Sequence, residues 1–323
     1  MLLRSPPRII QCDMNSEAAK LLSHRLIFVA GKGGSGKTTV TAALASLAGK
    51  HGKRVLAVDM DGKGDLGRAL GIESTSFSPV VAQHNVSVMT LNTEDALHEY
   101  LRRFFKLPRF TRFTPLAPVL EFVATAIPGI KDVLLIGKVV FEQQRIEDGK
   151  TVWDIVIVDS PATGHIVPQL NTPRAIRSLA RGGMLQGQIE GLIKALSDED
   201  RTALGIVVTP EEMSVIEAHE LFERVTSDGT IAPRTCVVNR VLPLATAGLP
   251  LLPLKQISPY QESYEDFSGV LALAAEIEVS QNEMIQSLAE LVPLPQIQLP
   301  FSTSSRTSTA AARALTALLE KGP

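Results

Sequence analysis

The sequence predicts an α/β fold, a doubly wound and mostly parallel sheet that carries a helical subdomain. Three observations lead there. Short apolar, β-branched runs alternate with helical patterns, as in successive βαβ units. Most of those runs are continuously apolar, as strands covered on both faces are. Glycine- or aspartate-bearing turns follow three of them at the carboxyl end, where open α/β sheets place their ligand crevice.

Strands are expected at Leu26–Ala30, Val55–Val58, Val86–Thr90, Val152–Val158, Gly205–Val208, Thr235–Val238 and near Val292–Leu299. Between the third and fourth lies a long stretch read as free of strands. There, Leu97, Tyr100, Leu101, Phe104 and Phe105 recur at helical spacing, with acids in the first turn, bases in the last and Pro108 just beyond. With "VLEFVATAIPGIKDVLLIGKVVFEQQ" this makes a helical insertion; "RAIRSLARGGMLQGQIEGLIKAL" makes a second after the fourth strand. In "TPEEM", Thr209 as N-cap, Pro210 at the first helical position and Glu212 three residues on read as a capping box. "TSTAAARALTALLEKG" is the last helix.

The 323 residues, 45% hydrophobic, slightly exceed the size at which a single core stops growing. The expected organisation is a loose extension over 1–24 and one domain over 25–323, with helical insertions near 92–150 and 170–200. A formal net charge of −2 without any block of like charge creates no field for nucleic acid or anionic lipid. Cys12 and Cys236 are too few and too far apart for a disulfide framework or a CxxC metal pair, so no zinc is expected and a reducing, cytoplasmic setting is. No apolar run approaches the roughly 18 residues of a membrane span. Arg4, two prolines and Arg8 interrupt the start before a signal sequence forms.

The chemistry lies in the turns. "GKGGSGKT", Gly31 to Thr38, satisfies G-x-x-x-x-G-K-[ST] between a strand and a helix, the context that makes the pattern a phosphate-binding loop. Gly33, Gly34 and Gly36 let backbone N–H groups, with that of Ser35, converge on phosphate oxygens at a helix N-terminus. Lys37 then reaches the β and γ phosphates, and the Thr38 hydroxyl suits Mg²⁺. In this scheme a lysine directly after the first glycine, Lys32, points away from its own loop's phosphates; it reads either as a solvated lysine or as one that binds a phosphate supplied by another subunit. The second turn, "VDMDGKGDLG", places Asp59 and Asp61 at a strand tip, one expected to cap and the other to orient water or hold a metal's water shell. The fourth strand ends "WDIVIVDSPATGH", with four apolar residues before Asp159, the layout of a carboxylate meeting the Mg²⁺ shell. Pro161 and Gly164 make the following segment a candidate switch. Asp154 reads as structural, and His165 as a relay of contacts.

At these three turns the sequence resembles the arsenical pump-driving (ArsA-type) ATPases and their relatives that target tail-anchored proteins, within the deviant Walker A class that includes MinD and ParA. The family's K-G-G-V-G-K-T-T is here "KGGSGKTT"; "DGKGDLG", "DSPATGH", "IPGIKDVLLIGKVV" and "VVTPEEMSVIEA" are similar to further family segments, over about Leu26 to Phe301. The resemblance implies an ATP- and Mg²⁺-dependent hydrolase that closes as a face-to-face dimer, with itself or a paralogue. It implies that Lys32 reaches the partner's nucleotide, Asp61 positions water and Asp159 holds the metal shell. Thr39 would support the loop, Asn239 would recognise adenine, and Pro300 and Phe301 would border the base. Arsenite is an unsuitable ligand for a chain with two scattered cysteines, because arsenic(III) seeks clustered thiolates. A hydrophobic client helix or a membrane-protein partner is the alternative, and the apolar stripes of the insertions serve equally as packing against the sheet. Two other readings compete: a ParA- or MinD-like positioning ATPase, for which the last helix supplies little basic or aromatic material, and a nucleotide sensor that does not hydrolyse.

Overall fold

The computed structural model describes residues 14–105, 129–177, 183–242, 261–301 and 307–321. Its centre is an eight-stranded sheet in the order β10-β9-β8-β1-β7-β2-β4-β3. The strands are β1 (Leu26–Gly31), β2 (Val55–Asp59), β3 (Val80–Gln83), β4 (Val86–Thr90), β7 (Ile155–Asp159), β8 (Thr202–Val208), β9 (Pro233–Val241) and β10 (Gln296–Pro300). All pairings are parallel except β3 with β4 at one edge. The fold is therefore the doubly wound α/β sheet with helices that the sequence predicts.

Alternation along β1 divides the core. Leu26, Phe28 and Ala30 face one layer, Ile27 and Val29 the other. The second layer holds α1 (Met14–Leu21), α2 (Lys37–Lys50), α3 (Asp65–Leu70) and α10 (Ser308–Lys321). The first is built from α4 (Thr93–Phe105), α5 (Ile130–Gln144), α6 (Thr163–Ile176), α7 (Gly183–Ser197), α8 (Glu212–Asp228) and α9 (Gln261–Leu291). The stretches expected as helical insertions, 92–150 and 170–200, contain α4, α5, the end of α6 and α7 of this first layer. Asn92 starts α4, its Oδ1 accepting the Asp95 amide at 2.8 Å.

Four expectations are corrected. Residues 14–21, read as part of a loose extension, fold as α1, and Ala18, Leu21 and the following Leu22 are buried; Cys12 lies outside the described residues. The strand-free insertion contains a hairpin, β5 (Ile146–Glu147) with β6 (Lys150–Thr151). The capping box is not formed: α8 starts at Glu212, Glu211 is its N-cap without a side-chain bond, and the Thr209 amide instead donates to Ser214 Oγ at 3.0 Å. Gly164 lies inside the first turn of α6, so the turn proper is only Ser160 to Ala162. The part of the first insertion over 106–128 lies outside the described residues.

Candidate functional site

The parallel register brings the signature turns to one end of the sheet. β1 runs directly into the loop 32–36, whose last residue, Gly36, has φ 91° and ends at the N-terminus of α2. A side chain there is excluded twice, by that left-handed backbone and by Asn239 Nδ2, which lies 2.3 Å from where a β-carbon would stand. The same amide nitrogen donates to the Ser35 carbonyl at 2.8 Å, so β9 braces the loop from beneath. At Gly33 and Gly34, by contrast, a β-carbon would meet nothing within 4 Å. The loop is clamped at its base and open at its mouth, the shape a phosphate group requires.

Lys37 closes the loop through a bond from Nζ to the Lys32 carbonyl at 3.1 Å. Burial lowers its pKa, with Asp159 and Asp61 acting against that shift. Thr38 Oγ1 donates to Asp159 Oδ2 at 2.6 Å, while Asp159 Oδ1 is buried and without a partner. β2 and β7 align Asp59 beside Asp159. Burial raises the Asp159 pKa to about 7; the Thr38 hydroxyl and Lys37 oppose this and the carboxylates of Asp59 and Asp61 reinforce it. A threonine hydroxyl, a spare carboxylate oxygen and an open cradle fit Mg²⁺ with a nucleotide.

The two acids of the second turn differ in their surroundings, and neither caps α3, whose N-cap Gly64 has no side-chain bond. Asp59 is buried and accepts the amides of Asp61 (3.1 Å), Gly62 (3.0 Å) and Gly64 (2.8 Å), so it clasps the loop ahead of α3. Burial, its first cause, raises its pKa; those three bonds lower it. Asp61 is left at the surface, its carboxylate paired with Lys63. Pro300 stands opposite Val241 in the β10–β9 register, and the Phe301 amide donates to the Val241 carbonyl at 2.7 Å, leaving the ring 43% exposed. Thr39 is half-buried in the first turn of α2.

Lys32 does not serve its own loop. Its amine pairs with Glu217 of α8 at 3.3 Å, and both side chains are about one-third exposed, at 32% and 31%. The other oxygen of Glu217 accepts from Thr163 Oγ1 at 3.1 Å, at the start of α6. One carboxylate thus ties the phosphate loop to the helix that follows Asp159. The sequence offered no sign of Glu217 or Thr163 in such a role: they lie 185 and 131 residues from Lys32. Asp154, at the amino ends of β7 and β2, is held by Arg54 at 2.6 Å, as a structural residue would be. Cys236 is fully buried in β9, which pushes its thiol up to about 12.

Residues 24–181 and 183–291 match the model of the family described as anion-transporting ATPases. The chain belongs to that family. It is 32% identical over 231 residues to the ATPase BagA of Mycobacterium tuberculosis, covering 70% of this chain and 67% of that one. It is 26% identical over 315 residues to the ATPase get3 of Schizosaccharomyces japonicus, covering 85% and 94%. To the arsenical pump-driving ATPase of Escherichia coli it is 25% identical over 241 residues, covering 67% of this chain and 39% of that protein. These relatives are ATPases, so this family member is an ATP hydrolase and binds the nucleotide, which sets aside the sensor that does not hydrolyse. Among the described residues no helix is long and apolar enough to cross a membrane, and no group of three His, Cys, Asp or Glu could hold a metal by itself.

Proposed function

We propose that the chain is a Mg²⁺-dependent ATPase working as a face-to-face pair, with a second copy or a paralogue. In this reading closure on ATP and opening after hydrolysis move the helical layer of the 25–323 domain. The work is done in the cytoplasm on a hydrophobic client helix or a membrane-protein partner. The observation that carries it is the position of Lys32, whose amine leaves its own loop to a Glu217 it shares with Thr163. A partly exposed, loosely tethered cation beside an open phosphate cradle is poised to reach a phosphate brought by another chain.

In this reading each site residue takes a role. Lys37, a cation kept in a partly desolvated place, would hold the β and γ phosphates while the amides of Gly33, Gly34, Ser35 and Gly36 bind their oxygens. Thr38 and, through water, Asp159 would hold Mg²⁺, which when bound neutralises phosphate charge. Asp61, free of the loop clasp that Asp59 supplies, would orient the attacking water. Thr39 would support the loop. Asn239, whose amide also braces the Ser35 carbonyl, would recognise adenine, and the exposed Phe301 after Pro300 would border the base. Arsenite is not the proposed cargo, since two scattered cysteines, one of them the buried Cys236, make no thiolate cluster.

The test is light scattering on Asp61→Asn with Mg²⁺-ATP, which traps the loaded state. The expected result is a pair of chains for that variant and a monomer for Lys32→Ala/Asp61→Asn, which still binds nucleotide. A loaded chain that stays monomeric, or full turnover by Lys32→Ala alone, would overturn the proposal.

A further inference from the structure

The first helical layer contains a cavity of about 350 Å³ between α4, α5 and α7. Its walls are apolar, from Ile130, Leu134 and Phe141 on α5 and Ile189 and Leu192 on α7. Two of its lining positions are glycines in helix interiors, Gly137 and Gly191. Glycine there weakens a helix relative to alanine, so the usual reason for it is that a side chain would clash. Neither site has that reason. A β-carbon at Gly137 would meet only Leu192 Cδ1, at an ordinary 3.9 Å, and one at Gly191 would meet nothing within 4 Å. Gly191 is exposed, and both glycines leave the space beside them open.

The polar groups around that room are unevenly satisfied. Lys138 is taken by Glu99 at 2.7 Å and Glu142 at 2.8 Å. Arg103 is not so held. Its guanidinium stacks over the Phe141 ring, 3.7 Å from the centroid, and pairs with no carboxylate among the described residues. Gln188 accepts the Tyr100 hydroxyl at 2.9 Å with Oε1, while its buried Nε2 has no partner. Two donors, one of them a cation at the mouth, therefore stand over an apolar chamber, and an unmet buried donor is costly.

We infer that this cavity is a binding site for an aliphatic carboxylate, its head at Arg103 and Gln188 and its chain along α5 and α7. Size agrees. At about 30 Å³ per water the space equals roughly a dozen waters, or a ligand of about that many non-hydrogen atoms. The inference stands without the proposed dimer or its hydrolysis cycle.

Calorimetry on the full chain without nucleotide tests it, using sodium decanoate below its micellar concentration. Decan-1-ol and decyltrimethylammonium are the neutral and cationic comparisons. The expected result is one saturable decanoate site per chain, at least tenfold tighter than for either comparison. Arg103→Gln should bring decanoate to within threefold of the alcohol. Gly191→Leu should lose at least tenfold in affinity while its unfolding temperature stays at or above that of the wild type. If Gly191→Leu does not fold, Gly137→Ala, which adds one methyl group to the same space, should weaken decanoate by about threefold. Equal binding of the three probes, no saturable decanoate site, or full affinity in the filled variant that folds would each overturn the inference.

Discussion

α2 and α6 are both 14 residues long, and both leave the carboxyl ends of neighbouring strands, β1 and β7, that pair in register. Their interiors differ. α2 buries ten consecutive residues, Val40 to Gly49, under α10 and contains no helix breaker after its first turn other than that last glycine. α6 buries six, has Gly164 in its first turn, and carries Pro168 and Pro173 within it. Each proline removes an N–H that would have met the carbonyl four residues back, at Gly164 and Gln169. The helix at the phosphate loop is held all round; the helix that follows Asp159 is held less. In the proposed cycle, recognition would fall on the stiffer helix and the response on the softer one.

The stiff side should fail by chemistry and the soft side by degree. The largest effect is expected for Lys37→Met, with turnover down about 10³-fold, the size of losing one preorganised charge contact in a transition state. Because Lys37 is partly desolvated, its unfolding temperature should not fall. A stopped ATPase in a protein that melts earlier would show that Lys37 holds the loop together and not the phosphate alone.

Asp159 gives a pH-dependent test on the soft side. Its pKa of about 7 in the folded chain lies above the ordinary 3.8. The folded state therefore binds the extra proton between those values, and stability is lost as pH rises from about 4 through 7. At about 1.36 kcal/mol per unit, the ionised buried carboxylate costs up to about 4 kcal/mol above pH 8. Melting curves of Asp159→Asn and wild type, in EDTA without nucleotide, should converge near pH 4 and separate towards pH 8 in favour of the variant. Parallel curves would place the ionisation elsewhere.

Gly36→Ala comes next. Its left-handed backbone and the 2.3 Å approach of Asn239 predict a loss of about 2–3 kcal/mol together with nucleotide binding. Pro168→Ala should act oppositely. Pro168 is exposed, so no cavity forms, and the restored N–H can reach the Gly164 carbonyl. A gain of about 1 kcal/mol in stability with turnover reduced several-fold is expected; turnover unchanged in the stiffer helix would mean that α6 need not bend.

What was legible in the sequence follows physical range. The phosphate loop, Asp159 and the central strands are local patterns, and they stand where their spacing put them. β3 was not, because Val80–Gln83 is short, half-exposed and antiparallel, and so has no continuous apolar run. The 31-residue α9 was also missed: Val270, Leu273 and Val279 lie exposed on it, so its apolar residues trace no single buried stripe. α1 was hidden by length, eight residues whose burial depends on a sheet assembled later in the chain. The pairing of Lys32 with Glu217 has no sequence signal, since it exists only once β8 lies beside β1.

That pairing joins the stiff side to the soft one, and the smallest effect belongs to it. Glu217→Gln keeps an acceptor for Thr163 but removes the charge that holds Lys32. An ion pair about one-third exposed contributes about 0–1 kcal/mol, so the melting temperature of the free chain should move by no more than a few degrees. If Lys32 serves a second chain, releasing it should favour the ATP-loaded pair two- to threefold in equilibrium sedimentation at low salt. That gain should shrink in 0.5 M KCl, where the tether in the wild type is itself screened. A loaded pair weakened by Glu217→Gln would reverse the argument and make Glu217 part of the closed contact, with Thr163 carried across the interface by α6.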